Sequence, residues 1–498
     1  MQEVIRRFKE HQKKMQAYSH AENILYYDAR TVAPKNNVKG LSATFEVLSE
    51  ERYKLSVDEG FIADIDTLIA HKDELDEQTR REAEFLYKEI SRMRKIPMEE
   101  YVEYSVLKNE SEAAWHKAKA ENDYAHFEPY LKKVIDFERR FALYYEPEKP
   151  VYDTLLDTYE EGLTTEMLDG YFSKVKERLV PLIKKIGESK VDIRTDFSER
   201  EFPVWKQRIL SDYLMDVMTI DRGCCVIGET EHPFTTNMNK YDVRITTKYK
   251  ADMMTSNIFS VIHEGGHALY ELNTADELFG SVLATGTSMG IHESQSRFYE
   301  NYIGRSREFV NYIFPKVKEL FADELSDVTA EEFYLLVNKC QPSLIRTEAD
   351  EVTYPLHILI RYELERKLIA GELDTKDLPN EWNALYEKYL GVCPPTDTDG
   401  VLQDTHWSGG AFGYFPSYFV GSAYSAQILE SMEKDIDVWA LVKNGELKPI
   451  VEWLTDRIYR YGAARKPAEV LDNCIHAPFD IDCFISYLEK KYTDIYKL

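Results

Sequence analysis

The chain has 498 residues, 44% of them hydrophobic and 13% aromatic, which is ample for a large core. A formal net charge of −26 argues against a nucleic-acid partner, which wants a basic patch, and against an anionic membrane surface. There is no run of about 18 apolar residues to span a membrane, and the start, Met1-Gln2-Glu3-Val4-Ile5-Arg6-Arg7-Phe8-Lys9, lacks the apolar core of a secretion signal, so a soluble cytoplasmic protein is expected.

Residues from about 2 to 145 read as helix after helix, with charged stretches such as Asp73-Glu74-Leu75-Asp76-Glu77 as solvated faces. Leu25 to Asp28 followed by Val32-Ala33-Pro34-Lys35-Asn36-Asn37 reads as a helix end and a turn, and Pro147 and Pro150 mark a connection. Ser198-Glu199-Arg200-Glu201 and Thr329-Ala330-Glu331-Glu332 have the pattern of capping boxes. Between them Tyr241-Asp242-Val243-Arg244-Ile245-Thr246-Thr247-Lys248-Tyr249 alternates with β-branched residues, a strand signal, with Asp242, Arg244 and Thr246 on one face. Gly371 and Gly391 are candidate helix C-caps. The six cysteines, Cys224, Cys225, Cys340, Cys393, Cys474 and Cys483, show no metal spacing and are expected as free, largely buried thiols. The expected architecture is mainly α with a small β-sheet. It is a single domain over 1–498, two-lobed around a cleft, with a helical part at about 1–150 forming one wall and a metal-site part at about 200–430.

The chemistry centres on Val261-Ile262-His263-Glu264-Gly265-Gly266-His267-Ala268-Leu269-Tyr270. Residues four apart share a helix face, so His263 and His267 can aim two imidazoles at one metal ion. Glu264, about 100° round the helix, is placed to act on a water there as general base. Mid-helix Gly265 and Gly266 each cost about 1 kcal/mol against Ala, so another backbone or a substrate is expected close to that turn; the strand around Arg244 is the candidate. A catalytic zinc usually takes a third protein ligand. Glu271, one turn beyond His267, is the weaker candidate, because a straight helix does not easily supply three tetrahedral positions. In Ile291-His292-Glu293-Ser294-Gln295-Ser296-Arg297 either His292 or Glu293 can ligate. Two further polar stretches stand in apolar surroundings. Leu344-Ile345-Arg346-Thr347-Glu348-Ala349-Asp350 offers an arginine to fork onto a carboxylate, a substrate's or a structural aspartate's. Gly400 to Trp407, followed by the Gly-rich aromatic run through Tyr414, offers His406 and Tyr414 as donors to a developing oxyanion.

Five motifs now stand in order: Asp242-x-Arg244-x-Thr246, His263-Glu264-x-x-His267, His292-Glu293-Ser294-Gln295, Ile345-Arg346-x-x-Ala349-Asp350, and Gly400-x-x-Gln403-Asp404-x-His406-Trp407, preceded by His232-Pro233-Phe234. Together they resemble the thermostable carboxypeptidase 1 (M32) family of metallocarboxypeptidases, over at least residues 232–421. Tyr27-Asp28 departs from the family's Trp-Asp, and the segment around Cys474-Ile475-His476-Ala477-Pro478 lacks a Thr-Gly turn; both lie outside the metal motifs.

The resemblance implies His263, His267 and Glu293 as metal ligands, Glu264 as general base, and one zinc (or cobalt) ion per subunit. It also implies a helical fold similar to neurolysin and angiotensin-converting enzyme with a deep cleft, a homodimer, and removal of single residues from peptide C-termini with broad specificity. Arg346, then Arg244, is the candidate for the terminal carboxylate. Asp242, Thr246 and Gln295 follow from the motifs as substrate-binding residues, with the strand around Asp242 pairing with extended peptide. A zinc endo-oligopeptidase is the alternative enzyme, and an inactive metal-bound peptide-binding protein the alternative of another class.

Overall fold

Helices dominate, as the apolar spacing requires. A computed structural model describes residues 1–498, the Val38 side chain apart. Contacts divide the chain into two units, each assembled from three stretches: Met1–Ser91, Arg194–Val337 and Ile428–Pro478 in the first, and Arg92–Ile193, Asn338–Gln427 and Phe479–Leu498 in the second. This grouping differs from the expected parts at about 1–150 and 200–430. The reason is local. The N-terminal helix Gln2–Thr31 runs against the sheet of its own unit, where Asn23 Nδ2 donates to Asn237 O at 3.0 Å and His20 Nδ1 lies 3.3 Å from Met238 O.

In the first unit, Phe8 of that helix joins Phe61, Ile65 and Leu68 of helix Glu59–Ala70 and Ala83, Leu86 and Ile90 of helix Glu77–Arg94 in one buried cluster. Asp58 caps helix Glu59–Ala70 by accepting from Phe61 N–H, satisfying one of the donors every helix start leaves open. The sheet has three strands, β1 (Cys225–Glu229), β2 (Thr235–Asn239) and β3 (Asp242–Thr247), in the order β1-β3-β2. β3 runs parallel to β1 and antiparallel to β2, with a register shift between Asn237 and Asn239. Val243 and Ile245 are fully buried, and the helix Met254–Leu272 lies against β3.

Because β3 is the middle strand, both its edges are already hydrogen-bonded. The expectation that the Asp242 strand pairs with peptide therefore fails: β-augmentation needs an open edge.

In the second unit, helices Met98–Glu121 and Tyr124–Tyr145 pack on each other, and helix Tyr354–Ala370 is buried along most of its length. The Thr329 box forms as read, with Glu332 N–H donating to Thr329 Oγ1 and Thr329 N–H donating to Glu332 Oε2. Gly371 and Gly391 end their helices at φ 78° and 69°, the left-handed conformation glycine adopts without strain. The Ser198 box does not form. Pro203 biases the preceding residue away from helix, and the helix begins only at Val204. None of the cysteines is bonded to another, and Cys393 is exposed although buried thiols were the general expectation. Among the described residues, no helix is long and apolar enough to cross a membrane.

Candidate metal centre

Helix Met254–Leu272 is buried on nearly every side, so its two histidines hold fixed positions one turn apart, with ring centroids separated by 5.0 Å. The helix Met289–Arg297, capped by Ser288 Oγ accepting from Ile291 N–H, brings Glu293 to the same point. Glu293 Oε2 lies 3.7 Å from His263 Nε2 and 3.5 Å from His267 Nε2. Ligands at about 2.0–2.2 Å from a tetrahedral ion stand about 3.4 Å apart, so both Glu293 distances match an edge of such a site. His263, His267 and Glu293 are the group that fits a metal ion among the described residues.

The other ring nitrogens are engaged, which leaves both Nε2 atoms for the ion. His263 Nδ1 lies 2.8 Å from Glu300 Oε2. His267 Nδ1 lies 2.6 Å from His292 Nδ1, and His292 Nε2 lies 2.7 Å from Glu271 Oε1. With His267 Nε2 turned to a metal, its Nδ1–H donates to His292, whose Nε2–H donates to Glu271. The two residues that competed for the third ligand position thus stand one step further out, where such partners orient a ligand and raise its basicity. Glu271 is held in turn by Thr285 Oγ1 at 2.9 Å and by Asn237 Nδ2. Arg297 bridges the acidic groups, donating Nε to Glu293 Oε1 at 2.7 Å and Nη1 to Glu300 Oε2 at 3.1 Å. Burial works against the charged Glu293 carboxylate, but Arg297 and His263 outweigh it and hold its pKa well below the usual range. Burial, helped by the neighbouring His292 and His263, lowers His267 to about 4, so its ring is neutral at pH 7, the form that binds a metal.

Glu264 is 7% exposed, and its Oε2 accepts from Thr235 Oγ1 at 2.6 Å. Burial raises its pKa above the usual carboxylate value, in the direction a general base at neutral pH requires.

The paired glycines have separate reasons, and neither is the strand around Arg244. A Cβ on Gly266 would stand 2.7 Å from Gln295 O and Ser296 Cα, so this glycine lets the helix bearing Glu293 cross closely. A Cβ on Gly265 would meet the flexible Met218 side chain at 2.8 Å. Gly266→Ala is therefore expected to destabilise by about 1–3 kcal/mol and weaken metal binding, and Gly265→Ala to do less of both. Thermal unfolding and chelator competition on the two variants check this, and equal effects would refute it.

The second unit carries another polar cluster. Asp404 takes Arg346 Nε and Nη2 on Oδ1 at 3.0 and 2.7 Å, and Arg361 Nε on Oδ2 at 2.7 Å. Arg346 Nη1 also donates to Tyr354 OH at 3.2 Å. His406 Nε2 lies 3.3 Å from Tyr418 OH, and its Nδ1 stands 4.0 Å from Asp404 Oδ1, beyond hydrogen-bond reach. Burial lowers the His406 pKa to about 4; Asp404 opposes this, and the two arginines reinforce it. The Tyr414 ring lies 5.3 Å from the His406 ring.

The family model described as "Carboxypeptidase Taq (M32) metallopeptidase" matches residues 7–492. The chain belongs to the M32 metallopeptidase family. It is 40% identical over 487 residues to "Carboxypeptidase 1" of Bacillus subtilis, covering 98% of this chain and 97% of the relative. It is 37% identical over 500 residues to "Thermostable carboxypeptidase 1" of Pyrococcus furiosus, covering 98% of each. The solved M32 carboxypeptidase of Deinococcus radiodurans R1 superposes with a TM-score of 0.96 at 32% identity, covering 99% of this chain and 100% of that one. This M32 enzyme is a metal-dependent carboxypeptidase, a hydrolase that works with a divalent ion.

Several expected substrate contacts of this M32 chain are committed elsewhere in the fold. Gln295 is 0% exposed and donates its amide to Ser294 Oγ, and its backbone is what Gly266 admits, so it is not placed to touch a peptide. Thr246 is also 0% exposed, with its hydroxyl accepting from Phe234 N–H at 2.8 Å and standing 3.1 Å from Phe234 O, a clasp between neighbouring strands. Arg244 forks onto Asp242 at 2.9 and 2.8 Å and lies over the Tyr27 ring. Arg346 forks onto Asp404, the structural pairing rather than a fork left open for substrate. The sequence reading does not single out Thr235, Arg297 or Glu300. Arg297 and Glu300 repeat the spacing of Glu293 along the chain, at four and seven residues, which periodicity would have flagged. Thr235 directly follows His232-Pro233-Phe234, the one available signal for it.

Proposed function

We propose that this enzyme removes single residues from peptide C-termini by HExxH-type chemistry, with His263, His267 and Glu293 holding one zinc ion per subunit, cobalt being able to replace it. The observation that carries the reading is the convergence of Glu293 Oε2 on two Nε2 atoms at 3.5 and 3.7 Å while both Nδ1 atoms are engaged elsewhere. Bound there, the ion supplies Lewis-acid polarisation and lowers the pKa of a water.

The residues of the chain do the rest. Glu264, aimed by Thr235, accepts the water's proton and returns it to the leaving amine nitrogen. Arg297 keeps Glu293 ionised and therefore able to ligate. In the second unit Arg346 gives Nε and Nη2 to Asp404 but Nη1 only to the neutral Tyr354 hydroxyl, and that third donor is the one offered to a peptide's terminal carboxylate. His406 and Tyr414 act on the peptide as neutral hydrogen-bond donors, His406 because burial keeps its ring uncharged. Broad specificity, action on cytoplasmic peptides and a homodimeric state complete the proposal. The unbonded cysteines support a reducing compartment, and sedimentation tests the dimer.

Digestion of one peptide of about ten residues, with products identified over time, tests the reaction. The expected result is stepwise loss of single C-terminal residues, abolished by a chelator and restored by Zn²⁺. Internal cuts would assign it instead as an endo-oligopeptidase.

A further inference from the structure

Glu365 lies on helix Tyr354–Ala370 and is 0% exposed. A carboxylate so deep needs every oxygen satisfied. Its Oε1 accepts from Trp407 Nε1 at 2.7 Å. Its Oε2 accepts from the Gly413 backbone N–H at 2.9 Å and from Tyr152 OH at 2.6 Å. All three donors are neutral, and burial pushes the Glu365 pKa up to about 7 in spite of them. A carboxylate kept in so unfavourable a place invites a reason beyond packing.

The reason is which residues it holds. Trp407 directly follows His406, and Gly413 directly precedes Tyr414. We propose that Glu365 is a positioning residue, whose two carboxylate oxygens tie the opposite ends of the 406–414 segment and so set where His406 and Tyr414 present their hydrogen-bond donors. The inference rests on the reading of those two side chains as donors to the peptide.

The surrounding segment is shaped for the same purpose. Trp407 stacks on Phe412 with ring planes 7° apart, filling the inside of the turn. Gly413 has φ 84°, and a Cβ there would stand 2.9 Å from the backbone of Leu155 and Leu156, so only glycine lets its N–H reach Glu365. One helical turn before Glu365, Arg361 holds Asp404 Oδ2 at 2.7 Å and Gln403 Oε1 at 2.8 Å. Residues 361 and 365 of one helix face therefore grip the chain on both sides of His406 and again before Tyr414. The carboxylate is a rigid planar spacer, and a segment displaced by about 1 Å loses on the order of 10²-fold in rate.

The test is a kinetic cycle on the metal-loaded full chain with a peptide substrate. Glu365→Gln keeps the shape of the side chain but turns one acceptor into a donor that faces another donor. Its kcat is expected to fall on the order of 10²-fold, with bound metal unchanged. In a His406→Gln/Tyr414→Phe background the same substitution is expected to add less than about threefold, because there is no longer a donor pair to position. Trp407→Phe, which removes one N–H and leaves the helix intact, should show the same pattern more weakly and decides the matter if Glu365→Gln does not fold.

An equal drop in both backgrounds would make Glu365 a merely structural group and overturn the proposal. So would an unchanged kcat in Glu365→Gln or, where that variant does not fold, in Trp407→Phe. If the His406→Gln/Tyr414→Phe enzyme itself keeps wild-type kcat, the donor reading falls, and this inference falls with it. A slow double variant beside a wild-type-like Glu365→Gln enzyme sinks the Glu365 assignment alone.

Discussion

Glu264→Gln is expected to leave the protein folded and fully metal-loaded and to lower peptidase turnover by about 10²–10⁴-fold, the range of general acid–base catalysis. The amide has the shape of the carboxylate, and its oxygen still accepts from Thr235 Oγ1, so the local packing survives. The three candidate ligands are different residues with their own partners, so metal content should not change. What disappears is the proton acceptor. Burial raises the Glu264 pKa, which makes the carboxylate a stronger base and the loss correspondingly large. Elemental analysis beside kcat on one preparation decides it. Unchanged turnover at full metal content would remove Glu264 from the mechanism.

Glu293→Ala is expected to abolish stoichiometric metal binding, a larger effect than the roughly 10–100-fold that follows loss of an outer partner. It removes the only oxygen ligand of the set and also takes from Arg297 the carboxylate that accepts its Nε–H. Glu271→Gln belongs in the same experiment, because Glu271 and Glu293 are both buried carboxylates that spacing alone leaves open as the third ligand. It should loosen the metal about 10–100-fold, acting through His292 on His267. Chelator competition ranks the two. Should Glu293→Ala retain its metal while Glu271→Gln loses it, the third ligand would have to be reassigned to the ligand helix.

The difference between those two carboxylates marks how much could be read in the chain. Helical periodicity alone puts His263 and His267 on one face and Glu264 beside them, because that arrangement depends only on residues within about one turn. By the same logic the capping box at Thr329 and the glycine ends at Gly371 and Gly391 were legible, since each depends on a few neighbouring residues. The Ser198 box failed for an equally local reason, the proline at 203. Spacing left Glu271, His292 and Glu293 open, since each fits within reach of a two-histidine site. Only the resemblance to the carboxypeptidase motifs chose Glu293, and the structure puts its Oε2 against both Nε2 atoms while giving His292 and Glu271 partners behind them.

Composition, helical periodicity and five ordered motifs by themselves determined that this is a mainly helical metallocarboxypeptidase with its histidines on one helix. Everything that depends on distant parts of the chain meeting was decided by the tertiary structure. Asp404 fills the fork of Arg346 from 58 positions away, so an arginine that reads as a substrate anchor is first a structural partner. β3 takes the middle of its sheet, which closes the edge expected for peptide. Gly266 admits the helix bearing Glu293, and Glu365 reaches a loop more than 40 positions away. The physical reason is common to all four: local sequence sets a residue's direction on a helix or strand, but what packs or hydrogen-bonds against it is whatever group the fold brings within contact distance.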